Sequence, residues 1–410
     1  MDQREIPRRT VLATSAAGLT GLSVLRVAGP AHAFPGGGAG EVVIPWLDQP
    51  APIPPPAADV IGHPLRWESL DGQLTPNDEF FTVKHYNEPQ LSALDWRLRV
   101  SGLVERPATW SLPALKALPR HTVEFTLECS GNHGLPFFIG GIGNARWTGT
   151  PLHRLLHRAL PRDTGVEVIF WGADRGPVTV RDDPGVTGPG RTGTVEPDAT
   201  GGLDLTITEQ FARSMSLDDA MAPDNLLCYG MNDAVLPREH GYPLRLIAPG
   251  WYGVANVKWL TRIEIADSRF AGRFMARDYV TIRERERDGE TVWTFHTVSH
   301  DRLKSAPAKV TRHGDRYTVS GAAWGAPVAR VEVQIDDGHW RAARLDRRRQ
   351  RWAWSFWTFD WANVTGGDHT VRSRAFGTDG TMQPAPADPY LASRRTFWEN
   401  NGQITRRVLI

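Results

Sequence analysis

Cysteine is scarce in this sequence. Only Cys129 and Cys228 occur in 410 residues, with no C-x-x-C pair, which excludes a disulfide framework as the basis of the fold. A C-x-x-C-H attachment site is missing too, so no c-type haem is expected. An excess of one charge is also missing. With 47 basic and 46 acidic residues the net charge is +1, so bulk electrostatics point to neither nucleic acid nor an anionic membrane as partner. No stretch is apolar for long enough to span a bilayer.

What is present is an ordinary soluble composition, 40% hydrophobic and 23% charged, on a chain long enough for two or more domains. Sixteen Trp and 31 Pro predict rigid loops and aromatic packing around a site. The first 33 residues read as a targeting signal. Arg8-Arg9 precedes the uncharged, weakly apolar stretch Val11–Leu25, and Ala31-His32-Ala33 supplies a small-x-small cleavage site. Paired arginines before a weak apolar stretch resemble a twin-arginine signal, although Pro7 and Val11 depart from the usual pattern. A periplasmic or otherwise exported mature protein beginning near Phe34 is the expectation. Residues 34–60, rich in Gly and Pro, read as an extended arm.

The most informative stretch is Thr122–Gly134. Val123, Phe125, Leu127 and Cys129 alternate with polar residues, the period of a strand with one apolar face. The strand runs into Ser130-Gly131-Asn132, a turn signal. A thiol held at a strand end beside a tight loop suits a soft metal ligand or a nucleophile. Further along, Pro237–Trp259 places His240, Arg245 and Lys258 around a Gly-Tyr-Pro turn and the next strand. Two or three cationic donors converging there suit a phosphate, Arg as a fork and Lys as a point charge. Thr150–Ala159 is an amphipathic helix with Leu152, Leu155 and Leu156 on one face. Val166–Trp171 is a buried strand, Asp182–Gly202 a polar loop, and Arg283–Glu290 an exposed linker. From about residue 304, short strands separated by turns predict a small antiparallel β-sandwich, with Asp336-Asp337-Gly338 as a hairpin turn and six arginines over Arg341–Arg351 on a solvated hairpin.

LECSGN around Cys129, PREHGYPLR around His240 and Arg245, VKW at Lys258, Arg277-Asp278-Tyr279, and VEVQIDDGHW with RWAWSFW near the C-terminus together resemble the sulfite oxidase family. The resemblance implies an α+β fold class: a mixed α/β molybdopterin-binding domain over residues 61–285, then an immunoglobulin-like dimerisation domain over residues 300–410. It implies a molybdenum–molybdopterin cofactor with Cys129 as the metal's protein ligand and Tyr279 beside the metal. It further implies cofactor contacts from Phe81, Lys84, His85, Asp174, His240, Arg245, Asn256 and Lys258, with Cys228 left to the core. The expected activity is oxygen-atom transfer, sulfite dehydrogenase-like, on a small oxyanion or an S- or N-oxide. With no haem motif in the chain, electrons would pass to an external cytochrome c-like carrier, and a homodimer is possible in such a family.

Two departures concern the substrate. Val83 and Gly134 stand where the family's sulfite-binding arginines are expected, and Lys84, His133 and Arg146 are the candidates to replace them. Arg146 is therefore a candidate substrate-site residue beside Cys129 and Tyr279. Reductases of nitrate or S-oxides are the alternatives within the family. Outside it stand a hydrolase using Cys129 with His133 or His240 as base, and an exported binding module built on the sandwich.

Overall fold

The computed structural model describes residues 34, 40–182, 203–347 and 350–410. The twin-arginine stretch, its cleavage site and the polar loop 183–202 lie outside the described residues. Ala33–Ile410 packs as one unit.

Two five-stranded sheets build the N-terminal half. In the first, His121–Glu128, Ile142–Pro151, Leu226–Met231 and Ala234–Val235 run in that order, and Arg245–Ile247 also pairs with Leu226–Met231. Every pairing is antiparallel. The alternation expected around Cys129 is present: Val123, Phe125, Leu127 and Cys129 join Trp147, Leu226 and Ile247 in one buried cluster. The second sheet has the order Ala108–Ser111, Arg97–Gly102, Leu260–Ala266, Glu167–Asp182, Leu203–Ser216. Leu260–Ala266 lies parallel to Arg97–Gly102, and helix Leu152–Ala159 buries Leu152, Leu155 and Leu156 in the core beside this sheet.

The strand expected over Val166–Trp171 continues to Asp182, with its register broken between Trp171 and Arg175. Such a bulge re-aims side chains, and Asp174 sits within it. Arg283–Glu290 is a hairpin rather than a linker: Val280–Arg287 pairs with Glu290–Thr297. Asp288 and Gly289, at φ +54° and +81°, make the turn, as two-residue hairpin loops demand.

The C-terminal half is the expected sandwich. One sheet contains Lys304–His313, Arg316–Trp324, Ser355–Trp361 and Arg344–Leu345; the other contains Arg341–Ala342, Val328–Ile335, Asp368–Gly377 and Ile404–Leu409. Val310, Val319, Val331, Val333, Trp357, Val371 and Val408 fill the space between them. The arm is not wholly free of this core. Val42–Ile44 adds an edge strand beside Lys304–His313, and Trp46 donates its indole N–H to Ala308 O at 2.9 Å. Among the described residues no helix is long and apolar enough to cross a membrane.

Candidate active site

A cavity opens where the end of His121–Glu128, the bulge at Asp174 and the segment Arg245–Lys258 meet. Cys129, Tyr279, Phe81, His85, Asp174, His240, Arg245, Asn256 and Lys258 all line it, with Val83 on the same wall. Two of the expected residues do not. Lys84 turns to Glu88, 2.8 Å away, and Arg146 pairs with the exposed carboxylate of Asp233.

At the cysteine end the loop is held by its own backbone. Cys129 N donates to Gly141 O at 2.8 Å and Asn132 N donates to Cys129 O at 2.9 Å. Burial pushes the thiol up to about 11, opposed by a hydrogen bond from the Gly131 backbone. A thiol so raised is a poor nucleophile in the protein alone, and becomes a thiolate when a cation stands beside it. His133 faces the C-terminal sandwich, its ring against Trp67 and Trp324, and His240 is engaged elsewhere. Among the described residues neither makes a hydrogen bond to Cys129. Cys228 is wholly buried, its Sγ 3.2 Å from Gly230 O.

Tyr279 and His85 form a pair, Oη to Nε2 at 2.7 Å. Burial, reinforced by Lys258 and Arg273, lowers His85 to about 3, so the imidazole is neutral. Burial, reinforced by Cys129, holds the Tyr279 hydroxyl well above its ordinary range. The hydroxyl is therefore a fixed, protonated group oriented by a neutral histidine. Trp398, from the C-terminal half, stacks on the tyrosine ring at 4.3 Å.

The phosphate end differs from expectation in one respect. His240 is uncharged, lowered by burial to about 3 against the raising effect of its bond to Asn77. The 2.9 Å contact between its Nε2 and Asn77 O must carry the ring proton, because a carbonyl only accepts. The two cations there are Arg245 and Lys258. Arg245 donates to His240 O and Asn256 O, each at 3.0 Å, yet its buried Nε has no partner. Lys258 Nζ donates to Val83 O at 3.1 Å and Glu239 O at 3.2 Å, and burial, then the charge of Arg245, lowers it to about 7. Asn256 acts locally. Its amide oxygen accepts from Ala248 N at 2.8 Å and its amide nitrogen donates to Tyr252 O at 3.0 Å. Asp174 is raised by burial to about 7 against the pull of Lys258, and its buried Oδ1 has no partner.

The donor set fits a metal–pterin cofactor. A soft thiol stands at one end, an orphaned carboxylate oxygen suits the N–H edge of a heterocycle, and an orphaned guanidinium N–H with a lysine suits a phosphate. Phe211, Thr82, Leu127, Val254 and Val257 are also on the wall. None of these five carries a distinctive sequence signal, and Trp398 reaches the site only through the tertiary fold.

The two positions expected to hold arginines are closed to that role. Val83 presents an apolar side chain to the cavity. A Cβ at Gly134 would lie 1.9 Å from Phe397 O, so no side chain fits under the C-terminal segment.

Comparison with known proteins agrees with this geometry. A model of the oxidoreductase molybdopterin binding domain matches residues 85–187 and 188–274, and one of the Mo-co oxidoreductase dimerisation domain matches residues 296–399. Sulfite oxidase of Gallus gallus is 31% identical over 346 residues, covering 77% of this chain and 69% of that protein. Mitochondrial sulfite oxidase of Drosophila melanogaster is 29% identical over 391 residues, covering 84% of this chain and 62% of that one. The chain thus spans about two thirds of the length of these relatives. Among solved structures, the sulfane dehydrogenase SoxCD of Paracoccus pantotrophus superposes with a TM-score of 0.69 at 27% identity, over 89% of this chain and 87% of that chain. The chain belongs to the sulfite oxidase family and is a molybdopterin-dependent oxidoreductase.

Proposed function

We propose that this protein is an exported enzyme that transfers an oxygen atom at sulfur, sulfite dehydrogenase-like, and hands its electrons to an external cytochrome c-like carrier. The observation that carries the proposal is the convergence of Cys129, the orphaned Asp174 oxygen and the orphaned Arg245 N–H on one cavity. Cys129 would hold the metal, Asp174 the pterin ring, and Arg245 with Lys258 the phosphate. Bound there, the cofactor supplies a two-electron centre that passes oxygen between water and substrate. In the oxidising direction the substrate sulfur gains one oxygen atom from water, and two protons and two electrons are released. The electrons leave to the carrier. With the neutral His85 donating its Nε2–H to the tyrosine oxygen, Tyr279 would keep its own proton for a substrate oxygen without changing its charge. Phe81, Val83, Leu127 and Phe211 exclude water from the same space.

Charge supports a refinement of substrate class. A small dianion needs charge-assisted bonds, worth roughly 1.5–3 kcal/mol each. Val83 and Gly134 cannot supply them, and Lys84 and Arg146 are paired off the cavity. A sulfur compound less charged than sulfite fits better, in either direction of transfer.

The test is metal and pterin analysis of the purified protein, followed by a screen of sulfite, thiol-derived and S-oxide substrates with dye acceptors and donors. Loaded protein that turns over sulfite with a low-micromolar KM would overturn the refinement; protein lacking molybdenum after expression in a molybdate-replete host would overturn the assignment itself. For export, replacing Arg8 and Arg9 by Lys should retain a folded, loaded precursor inside the cell. Unaltered secretion would remove the twin-arginine reading. The Mo-co dimerisation domain supports a homodimer, which sedimentation of the loaded protein would test.

A further inference from the structure

The residue before the cysteine is a fully buried glutamate, and its carboxylate is saturated by groups from both halves of the chain. Glu128 Oε1 accepts from Lys304 Nζ at 2.6 Å and from Asn132 Nδ2 at 2.9 Å. Glu128 Oε2 accepts from Trp324 Nε1 at 2.9 Å. Glu128 and Lys304 side chains are both 0% exposed. Lys304 lies on Lys304–His313 and Trp324 on Arg316–Trp324, paired strands of the C-terminal sandwich. Asn132 closes the circuit, its Oδ1 accepting from Gly141 N at 3.0 Å, while Gly141 O accepts from Cys129 N. The loop that presents the thiol is therefore tied, through two side chains of its own, to a buried ammonium and an indole of the other half. A buried carboxylate left without that ammonium would draw in water or a proton and move the loop.

We propose that Lys304 is a positioning residue of the metal site, acting through Glu128 and Asn132 to fix the orientation of Cys129, so that the C-terminal sandwich is a working part of the active site besides any part in dimer formation. The inference rests on Cys129 being the metal's protein ligand. Outer-shell groups of this kind change affinity or activity by about 10–100-fold when removed.

The experiment has two arms. In cofactor-free full-length protein, iodoacetamide labelling of Cys129 is followed by mass spectrometry, with the buried Cys228 as internal control. Lys304→Met should speed Cys129 labelling by about tenfold, the signature of local opening, while Cys228 stays unlabelled. In cofactor-loaded protein, the same variant should shift the sulfur-to-metal absorption band and lower kcat more than it raises KM. Glu128→Gln/Lys304→Met, which removes both charges, should bring labelling and spectrum back towards wild type. If the single variant does not fold, Trp324→Phe, which deletes one bond to Glu128, should give a smaller acceleration of about threefold. Wild-type labelling and spectrum in these variants would overturn the inference. Parallel acceleration at Cys228 would overturn it too, since the role would then be general stability. Wild-type protein that binds no molybdenum would instead remove the assignment of Cys129, and the labelling arm would still report on the tether.

Discussion

The two ends of the cavity are built on opposite plans. At the cysteine end the groups that hold the loop are satisfied by protein, Glu128 by three donors and Asn132 by Gly141, with Tyr279 paired to His85, while Ser130 Oγ and His133 Nδ1 are buried without partners. At the phosphate end Asp174 Oδ1 and Arg245 Nε are buried without partners, and Asp174 and Lys258 are both pushed to about 7. Buried polar atoms are ordinarily paired, and an orphan costs about 1–3 kcal/mol. A wall with an unpaired acceptor and an unpaired donor has two unmade bonds to offer. The tethered end fixes the direction of one atom; the other offers an unpaired carboxylate oxygen and guanidinium N–H to a ligand. One end sets geometry and the other sets affinity.

The largest effect should come from the single atom at the tethered end. Cys129→Ser should lower turnover by more than about 100-fold, beyond what outer-shell changes produce, because an alcohol does not replace a soft thiolate. Cys228→Ser should keep most activity, its hydroxyl able to donate to Gly230 O as the thiol does. Turnover assays on both variants test the division. An active Cys129→Ser enzyme would break it.

At the other end the deficit should be in binding. Arg245→Met should cut molybdopterin content about tenfold, the scale of a lost charge-assisted bond of 1.5 kcal/mol or more. Protein that does acquire cofactor should turn over near the wild-type rate. Pterin fluorescence after release, set against protein concentration, measures this. Full occupancy would mean that the unsatisfied wall is not the binding wall.

Much of this site was legible in the sequence, for identifiable reasons. Period-two alternation placed Cys129 at a strand end because strand geometry is local. The PREHGYPLR segment brought His240, Arg245 and Lys258 to one place, since a tight turn leaves neighbouring strands little freedom. What stayed hidden depends on partners far along the chain. Arg146 leaves the cavity because Asp233, 87 residues further on, competes for it. His240 is neutral because it is buried, with the charges of Arg245 and Lys258 beside it. Lys304 and Trp324 lie nearly 200 residues from Glu128 in sequence, at separations of 176 and 196, and no local pattern marks them. Two misses were local. Asp288-Gly289 between alternating residues was a readable hairpin signal, and Val42–Ile44 was a short β-branched run inside a Gly/Pro-rich arm.

A smaller effect concerns the wall between the two ends. Val83 lines the cavity, and its carbonyl already accepts from Lys258. Val83→Arg introduces a cation without removing that backbone bond. One charge-assisted contact of at least about 1.5 kcal/mol should lower the sulfite KM by roughly tenfold, with kcat little changed because Cys129, the proposed metal ligand, is untouched. Steady-state kinetics on both proteins decide it. An unchanged KM would mean that sulfite, where it binds, sits elsewhere in the cavity.

The smallest effect is on stability, and its sign follows from the two shifted groups. Lys258 falls from an ordinary value of 10.5 to about 7. Its contribution to stability is therefore present above pH 10.5 and lost as the pH falls through 7, where the folded state must accept a buried charge. Asp174 moves the other way, from 3.8 to about 7, so its contribution is present below pH 3.8 and lost as the pH rises through 7. In cofactor-free protein, the Tm of Lys258→Met minus that of wild type should grow as the pH is lowered from 10 to 7 and then level off. For Asp174→Asn the difference should grow as the pH is raised from 4 to 7. Both trends should shrink in loaded wild type, where the phosphate and the pterin N–H edge would pair with the ammonium and the carboxylate. Melting curves of the free and loaded forms across this range measure all four slopes. Differences that do not vary with pH in the free protein would show that the phosphate end is already satisfied, and the contrast between the two ends would fail.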